Sequence, residues 1–552
     1  MRSAQGEDNI MLVTRDGELV SKHDRELLVV SAGENTYYIS GFFYIPGFVS
    51  GEPSIRELHR QLTEKGEIPF DKLYGSFSCM ISSDHRIQYL FPCNSELHCI
   101  YYSDYAMSDR FLELVDYHKK HNLPLTFDDK SVCEYYSLGN YFFNKTLVKE
   151  IHILKNDLYI KWAGKERMIC EKKISDISGQ SSIADPSHFY DDLATALSNN
   201  TVAISLTGGY DSRLVYSQLY KKIPLFPFFS ANVETMDSVT AEKAAKAVGK
   251  ELKVFYTEKP EVTQSLIQKM IKVSDGLQPL DFDSDYRILS FREKLRENGY
   301  TVQLTGDGGV LHKDWEWMQD LPFYHRKKTN LRRFYYQRIA YACSAPHIGD
   351  KLKNNYLQQE ARFLKELEPL KKAINTESYD SLYHYASGNR KIRYNYVSSS
   401  AFTLYAPLNE LDLVRYTYHM PRHLRFYYNY MRKMITDADT KLARVPTNYG
   451  TTASSEPLYL FRDSFVQLKE YGVKAKRLMR RKLRLPSQAK KVIDWNAENE
   501  LRNLSLAEDA VKWAVKENLL EPGTEEKSLP YVHLQRIVHL FVLHDMYGLT
   551  IG

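Results

Sequence analysis

Two glycine-bearing stretches hold the residue types that could do chemistry. The first runs Ser205-Leu206-Thr207-Gly208-Gly209-Tyr210-Asp211-Ser212-Arg213. Its glycines let the backbone approach a phosphate closely. Free amides at a helix start favour an anion, and the hydroxyls of Thr207 and Ser212 can donate to phosphate oxygens. Asp211 would repel a phosphate unless a divalent cation lay between them, so it points to Mg2+. No G-x-x-x-x-G-K-[ST] is present, so this is not a Walker A loop. The plainer reading is a tight strand-to-helix turn with an Asp/Ser cap. A second stretch, Thr305-Gly306-Asp307-Gly308-Gly309, raises the functional one. If it follows another strand of the same parallel sheet, both loops share the edge where ligands of such sheets bind.

Strands and helices must hold those loops. TVAISL (201–206) is a nearly continuous apolar run, as expected of a strand buried on both faces. The helix candidate DSRLVYSQLYKK follows it, then the strand LFPFFSA (225–231), the helix SVTAEKAAKAVGK (238–250) and the strand LKVFYT (252–257). A helix at about 261–275 and the strand TVQLTG (301–306) extend the series. This alternation predicts a doubly wound parallel sheet. Residues 1–173 read as β-rich, with short apolar stretches such as TYYISGFFYIPGF and GSFSCMISS broken by turn signals. Residues 174–195 read as a linker, 196–320 as the α/β core and 321–552 as a mostly helical remainder.

The chain has 552 residues, 43% hydrophobic and 26% charged, which excludes wholesale disorder and collagen-like sequence. Lys and Arg exceed Asp and Glu by 74 to 69, too little to imply nucleic-acid binding. The basic segment KAKRLMRRKLRLPSQAKK (474–491) could face a membrane surface, RNA or an acidic peptide; the plainer reading is a solvated helix face. The six cysteines include no C-x-x-C pair, so they read as reduced thiols in a cytoplasmic protein. No signal peptide and no membrane-spanning run are expected. His419 and His423 have H-x-x-x-H spacing, but Pro421 between them disfavours a shared helix face. His533 and His539 read as packing or surface residues, and Asp281 to Asp285 as a possible acidic patch on the substrate side.

SLTGGYDSR resembles the S-G-G-x-D-S pyrophosphate loop of the ATP pyrophosphatase superfamily, and TGDGG resembles the G-[ED]-G loop of the asparagine-synthetase family. Pro407-Leu408 in LYAPLNELDLVRYTYHMP resembles that family's P-F-L-D segment, and ARVPTNYG (443–450) its late active-site loop. ELHRQL and the region from FDKLYGSFSCMISS to LHCIYYS resemble its glutaminase domain.

The resemblance implies an α+β N-terminal Ntn-hydrolase-like sandwich, then an α/β doubly wound parallel sheet with a mostly helical C-terminal part. It also implies a ligase that activates a carboxylate with ATP and Mg2+, forms an acyl-adenylate, releases pyrophosphate and lets ammonia or a substrate amine attack. By resemblance, Leu206, Thr207, Gly208, Gly209, Asp211, Ser212, Phe229 and Gly306 bind ATP. Asp211 holds Mg2+, and Asp307 acts around the adenylate. The substrate would be a small-molecule, sugar-acid or peptide carboxylate, as in relatives such as β-lactam synthetases and lasso-peptide cyclases. A homodimer or a pathway partner stays open.

The chain departs from the pattern at several points. Met1-Arg2-Ser3 offers no cysteine nucleophile, so glutaminase activity is not expected. The family's Asp-Glu pair after the second loop is Val310-Leu311, a Glu is Thr403, and the late Lys falls near Thr447. His312, Lys313 or Arg444 could restore positive charge, and Asp281 or Asp283 negative charge. The other reading is a nucleotide-binding protein or scaffold that kept the fold and lost turnover.

Overall fold

A computed structural model describes residues 11–22, 27–84, 86–95, 98–143, 145–174, 177, 179–282, 284–313, 331–373, 402–482 and 497–552. Met1-Arg2-Ser3, Asp283 and residues 483–491 of the basic segment lie outside them.

In the N-terminal region the chain forms strands β1 (Met11–Thr14), β2 (Leu19–Lys22), β3 (Leu27–Ala32) and β4 (Asn35–Tyr44), then helix α1 (Glu52–Lys65). Next come β5 (Tyr74–Ser83), β6 (Arg86–Pro92), β7 (Ile100–Tyr102), β8 (Ala106–Ser108), α2 (Phe111–Lys120), β9 (Thr126–Phe127) and α3 (Asp129–Leu138). Strands β10 (His152–Leu154), β11 (Leu158–Ala163) and β12 (Glu166–Glu171) complete the region. They build two antiparallel sheets, ordered β12-β11-β6-β5-β4-β3 and β10-β7-β8-β1-β2. Alternation along β5 decides the layering. Phe77, Cys79 and Ile81 meet Ile55, Leu58 and Leu62 of α1. Met80, on the opposite face, packs with Val13, Ile100 and Met107 of the other sheet. That sheet's far face, through Tyr101, packs on Phe111 and Val115 of α2 and Val132 of α3. The order of layers is therefore helix, sheet, sheet, helix.

Helix α4 (Pro186–Ala196) starts on Asp185, whose side chain accepts from Ser187 N. The expected alternation follows: β13 (Val202–Ser205), α5 (Asp211–Leu219), β14 (Leu225–Ala231), α6 (Met236–Ala247), β15 (Lys253–Tyr256), α7 (Gln264–Val273), α8 (Ser284–Glu297) and β16 (Val302–Leu304). With β17 (Leu404–Tyr405) these strands form a parallel sheet of order β15-β14-β13-β16-β17. Val202 and Ile204 face α4, α5 and α6. Ala203, between them, faces Ile288, Phe291 and Leu295 of α8. Helices thus cover both faces, which explains the unbroken apolar runs. The chain winds outward from β13 to β15, then returns to lay β16 on the other side of β13. That reversal is a topological switch point, and it sets the two glycine loops side by side.

A polar seam joins the two regions. Tyr74 donates to Asp412 Oδ2 at 2.8 Å, and Gly75 N to Glu410 Oε2 at 3.1 Å. Tyr405 OH donates to Glu410 Oε2 at 3.0 Å and lies 3.4 Å from Tyr44 OH. The helical C-terminal part returns to the N-terminal region: helices Ser505–Lys516 and Tyr531–Tyr547 share a core with α2 and α3. The final strand, β18 (Thr550–Ile551), pairs with β9. His533 and His539 are packing residues there, and burial depresses both imidazoles, His539 to about 3.

Candidate functional site

The first loop leaves the carboxyl end of β13 and enters α5. It is tied largely within itself. Thr207 N donates to Ser212 Oγ at 3.0 Å, and the two side-chain hydroxyl oxygens lie 2.9 Å apart. Gly208 N donates to Asp237 Oδ1 at 2.8 Å, from the first turn of α6.

The second loop leaves β16 and presses onto the first. A Cβ on Gly306 would lie 2.3 Å from Ser212 N, and one on Gly309 would lie 2.1 Å from Asp211 Cγ. Gly308 adopts a left-handed φ of +92°, and a Cβ there would strike Asn409 at 2.7 Å. The TGDGG glycines are therefore required by close approach to Asp211, Ser212 and Asn409, and by left-handed backbone at one position.

Two acids and two cations meet at this edge. Lys313 Nζ lies 3.0 Å from each Asp211 oxygen. Its side chain is only 6% exposed, that of Asp211 30%, and the ammonium sits 5.0 Å from the Tyr428 ring centre. Asp307 accepts from Thr305 Oγ1 at 2.8 Å. Burial raises its carboxyl above the usual range; the Thr305 bond opposes the rise, the Asp211 charge adds to it, and the Arg292 charge opposes it. Arg292, on α8, is buried with Nε 3.3 Å from Gln303 Oε1.

Asp211 and Asp307 fit a site for Mg2+, which commonly takes one or two carboxylates and completes its shell with phosphate oxygens and water. Among the described residues no group of three or more His, Cys, Asp or Glu side chains is placed to hold a metal by itself. Two hydroxyls fit a nucleoside beside the loops. Ser230 Oγ near the end of β14 and Thr257 Oγ1 just past β15 are buried without a hydrogen-bond partner among the described residues.

A late loop straps the first one down. Asn448 N donates to Gly208 O at 3.0 Å, and Asn448 Nδ2 to Asp237 Oδ1 at 3.0 Å. Arg213 reaches Val445 O at 2.6 Å and Pro446 O at 3.1 Å; burial lowers its guanidinium to about 10. The Tyr210 ring stacks on Tyr428 at 4.2 Å. Tyr210 OH donates to Thr452 O at 2.8 Å and accepts from Arg432 Nη2 at 2.9 Å. Arg432 in turn pairs with the fully buried Asp463 at 3.0 Å.

The other sequence candidates occupy varied surroundings. Leu206 is buried, its N donating to Phe228 O at 2.9 Å. Phe229 lies two residues before the end of β14, its side chain in the α5–α6 face of the core. Of the three proposed substitute cations only Lys313 reaches Asp211. His312 is buried against Leu408 O at 2.7 Å, and burial lowers it to about 4, so it carries no charge near neutral pH. Arg444 is spent on Glu456, at 2.5 Å. Val310 and Leu311 pack with Ile177 and Val414, turning an acid pair into an apolar patch. Thr447 closes its own turn, its N donating to Thr451 O at 2.6 Å. Thr403 lines a cavity of about 340 Å³ between the N-terminal region and the parallel sheet. Asp281 accepts from Ser284 N at the start of α8, and Asp285 is buried, so these acids cap and pack that helix. His419 Nε2 lies 3.0 Å from Gly179 O. No local motif marks Asp237 or Arg292 in the sequence, and within ARVPTNYG nothing singles out Asn448.

Residues 192–439 match the family model described as asparagine synthase. This stretch is similar to that family and contains both glycine loops and Lys313. No curated protein matches the chain. The family is one of ATP-dependent amide-forming ligases.

Proposed function

We propose that the protein activates a carboxylate as an acyl-adenylate and passes the acyl group to ammonia or to a substrate amine. The observation that carries this reading is the contact of the two glycine loops around Asp211 at the carboxyl ends of adjacent strands. A carboxylate oxygen attacks the α-phosphorus of ATP, and the α–β anhydride breaks to release pyrophosphate. The amine then attacks the acyl carbon, loses a proton, and AMP leaves as the amide forms. Leu206, Thr207, Gly208, Gly209, Ser212, Phe229 and Gly306 would border the nucleotide. Asp211 would hold Mg2+, with Asp307 beside the reacting phosphate. Lys313 is the cation available where Thr447 supplies none, and fixed positive charge at a phosphate in transfer is worth several kcal/mol of barrier, about 3 per contact.

The four-layer order of the N-terminal region supports its reading as an Ntn-type glutaminase-like module. Its cysteines do not support glutamine hydrolysis. Cys79, Cys99 and Cys133 are buried, and burial pushes each thiol up, Cys133 to about 12. A thiol that stays protonated is a poor nucleophile.

One observation favours the second reading, a nucleotide-binding protein without turnover. Asp211 already has a cation in Lys313, and the amides of Thr207 and Gly208 already have acceptors.

Pyrophosphate release from ATP and Mg2+, measured for the wild type and Asp211→Ala over a pool of carboxylates and amines, separates the two. Pyrophosphate and AMP from the wild type alone support the ligase. Mg2+-dependent ATP binding without turnover on any substrate supports the second reading, and loss of both removes the nucleotide assignment.

A further inference from the structure

The helix Pro457–Lys482 leaves the late loop and runs for 26 residues, about 39 Å at 1.5 Å per residue. One face is anchored: Asp463 is fully buried, accepting from Thr452 N at 2.8 Å and pairing with Arg432. Another face is not. Leu458, Phe461, Phe465, Leu468 and Met479 are each more than half exposed. Leu458, Phe461, Phe465 and Leu468 are spaced by three and four residues, and Met479, eleven residues further on, returns to the same side after about three turns, so they draw one stripe along the helix. Side chains this apolar, aligned and uncovered mark an interaction surface rather than scattered surface hydrophobes.

Charge says what covers the stripe. Residues 457–482 hold eight Lys or Arg against two acids, a net of +6, while the whole chain carries +5. The excess positive charge of the protein is thus concentrated in this one helix. It grows toward the helix end, where the sequence reads KAKRLMRRK (474–482), and the described Lys469 and Lys476 are exposed. A helix with an aligned Leu/Phe face and dense Lys/Arg lies in the plane of an anionic lipid surface, its apolar face among the acyl chains and its cations among the headgroups. Pairing with a second copy fits less well. Parallel helices would align their +6 charges, and antiparallel helices would set the apolar half against the basic half. A nucleic acid would use the cations but leave the Leu and Met side chains in water.

We propose that the helix Pro457–Lys482 is a peripheral docking element for anionic membrane surfaces. No described helix is long and apolar enough to cross a membrane, so the contact is one of lying on the surface. The same helix, through Asp463, holds the loop that straps the first glycine loop, so docking and site share one element.

Co-sedimentation of the full chain with vesicles tests this, using phosphatidylcholine alone and phosphatidylcholine with about 30% phosphatidylserine, at about 0.1 M salt. Binding at least tenfold tighter to the anionic vesicles is expected, weakening as salt rises. The double variants Phe461→Ser/Phe465→Ser and Lys469→Glu/Lys476→Glu should each lose about tenfold or more with the melting temperature kept, since the four side chains are exposed. Equal binding to both vesicle types, no binding to either, or variants that bind like the wild type would overturn the proposal. So would a wild-type dimer in light scattering that Phe461→Ser/Phe465→Ser dissolves, because the stripe would then belong to a second copy.

Discussion

Two polar clusters lie within the same fold and behave differently. At the carboxyl edge of the parallel sheet, Asp211 keeps 30% of its side chain exposed and faces Lys313, with Asp307 and Arg292 behind. At the seam between the regions, Glu410 and Asp412 are buried and surrounded by Tyr44, Tyr74, Tyr405 and Ser182. The seam is closed: its donors and acceptors are spent on one another, so its charges act on stability. The edge is open on one side, so its charges are available to a ligand. Acidic residues under similar crowding thus take different roles because water reaches one set and not the other.

The comparison can be broken most forcefully beneath the edge, where the Arg432–Asp463 pair is as buried as anything in the seam. Arg432→Met takes from the buried Asp463 its closest cation, leaving the half-exposed Arg462 at 3.5 Å, and should cost about 3–5 kcal/mol of stability in chemical denaturation. A loss under 1 kcal/mol would mean the late loop is not held as described. At the edge itself, Lys313→Met should lower pyrophosphate release about 10²–10³-fold, roughly 2.7–4 kcal/mol of barrier. The melting temperature should move little, because water can solvate the Asp211 left behind. A large loss of stability with full activity would place Lys313 in the closed class instead.

The seam should show itself in pH dependence. Burial pushes Glu410 up to about 7. A carboxyl raised on folding binds its proton more tightly in the folded state, so its contribution to stability falls as pH rises from the ordinary carboxylate range through about 7. Glu410→Gln should remove about 1–3 kcal/mol of that loss, read as a smaller drop in stability between pH 5 and pH 8. Tyr74→Phe deletes one donor to Asp412 and should cost about 1 kcal/mol, with activity unchanged if the seam is purely structural.

Much of the α/β unit was legible in the chain. TVAISL, LFPFFSA and TVQLTG announce buried parallel strands because helices on both faces leave few positions for a polar residue; Gln303, buried in β16, is satisfied by Arg292. The glycine loops were legible because only glycine tolerates the approach that Gly306 and Gly309 make. The four layers of the N-terminal region were less so. Strands β1 and β2 hide in a polar opening stretch, and the place of this hairpin in its sheet depends on the pairing of β1 with β8, nearly a hundred residues away. Lys313 and His312 show the limit most plainly. Both are basic side chains beside the second glycine loop; the short turn Gly309–His312 sends one onto Asp211 and buries the other, uncharged, against Leu408.

The sequence by itself determined the class of chemistry: a phosphate-type loop, a second glycine loop and acids beside each, because those residue types are demanded by local geometry and charge. Only the tertiary structure decided which cation answers Asp211, that Asp237 and Asn448 tie the late loop to the first, and that the missing acid pair became an apolar patch. Those outcomes join residues as far apart as Gly208 and Asn448, 240 positions along the chain. Side-chain charge and spacing along the chain do not encode such meetings; the order in which strands are laid beside β13 does.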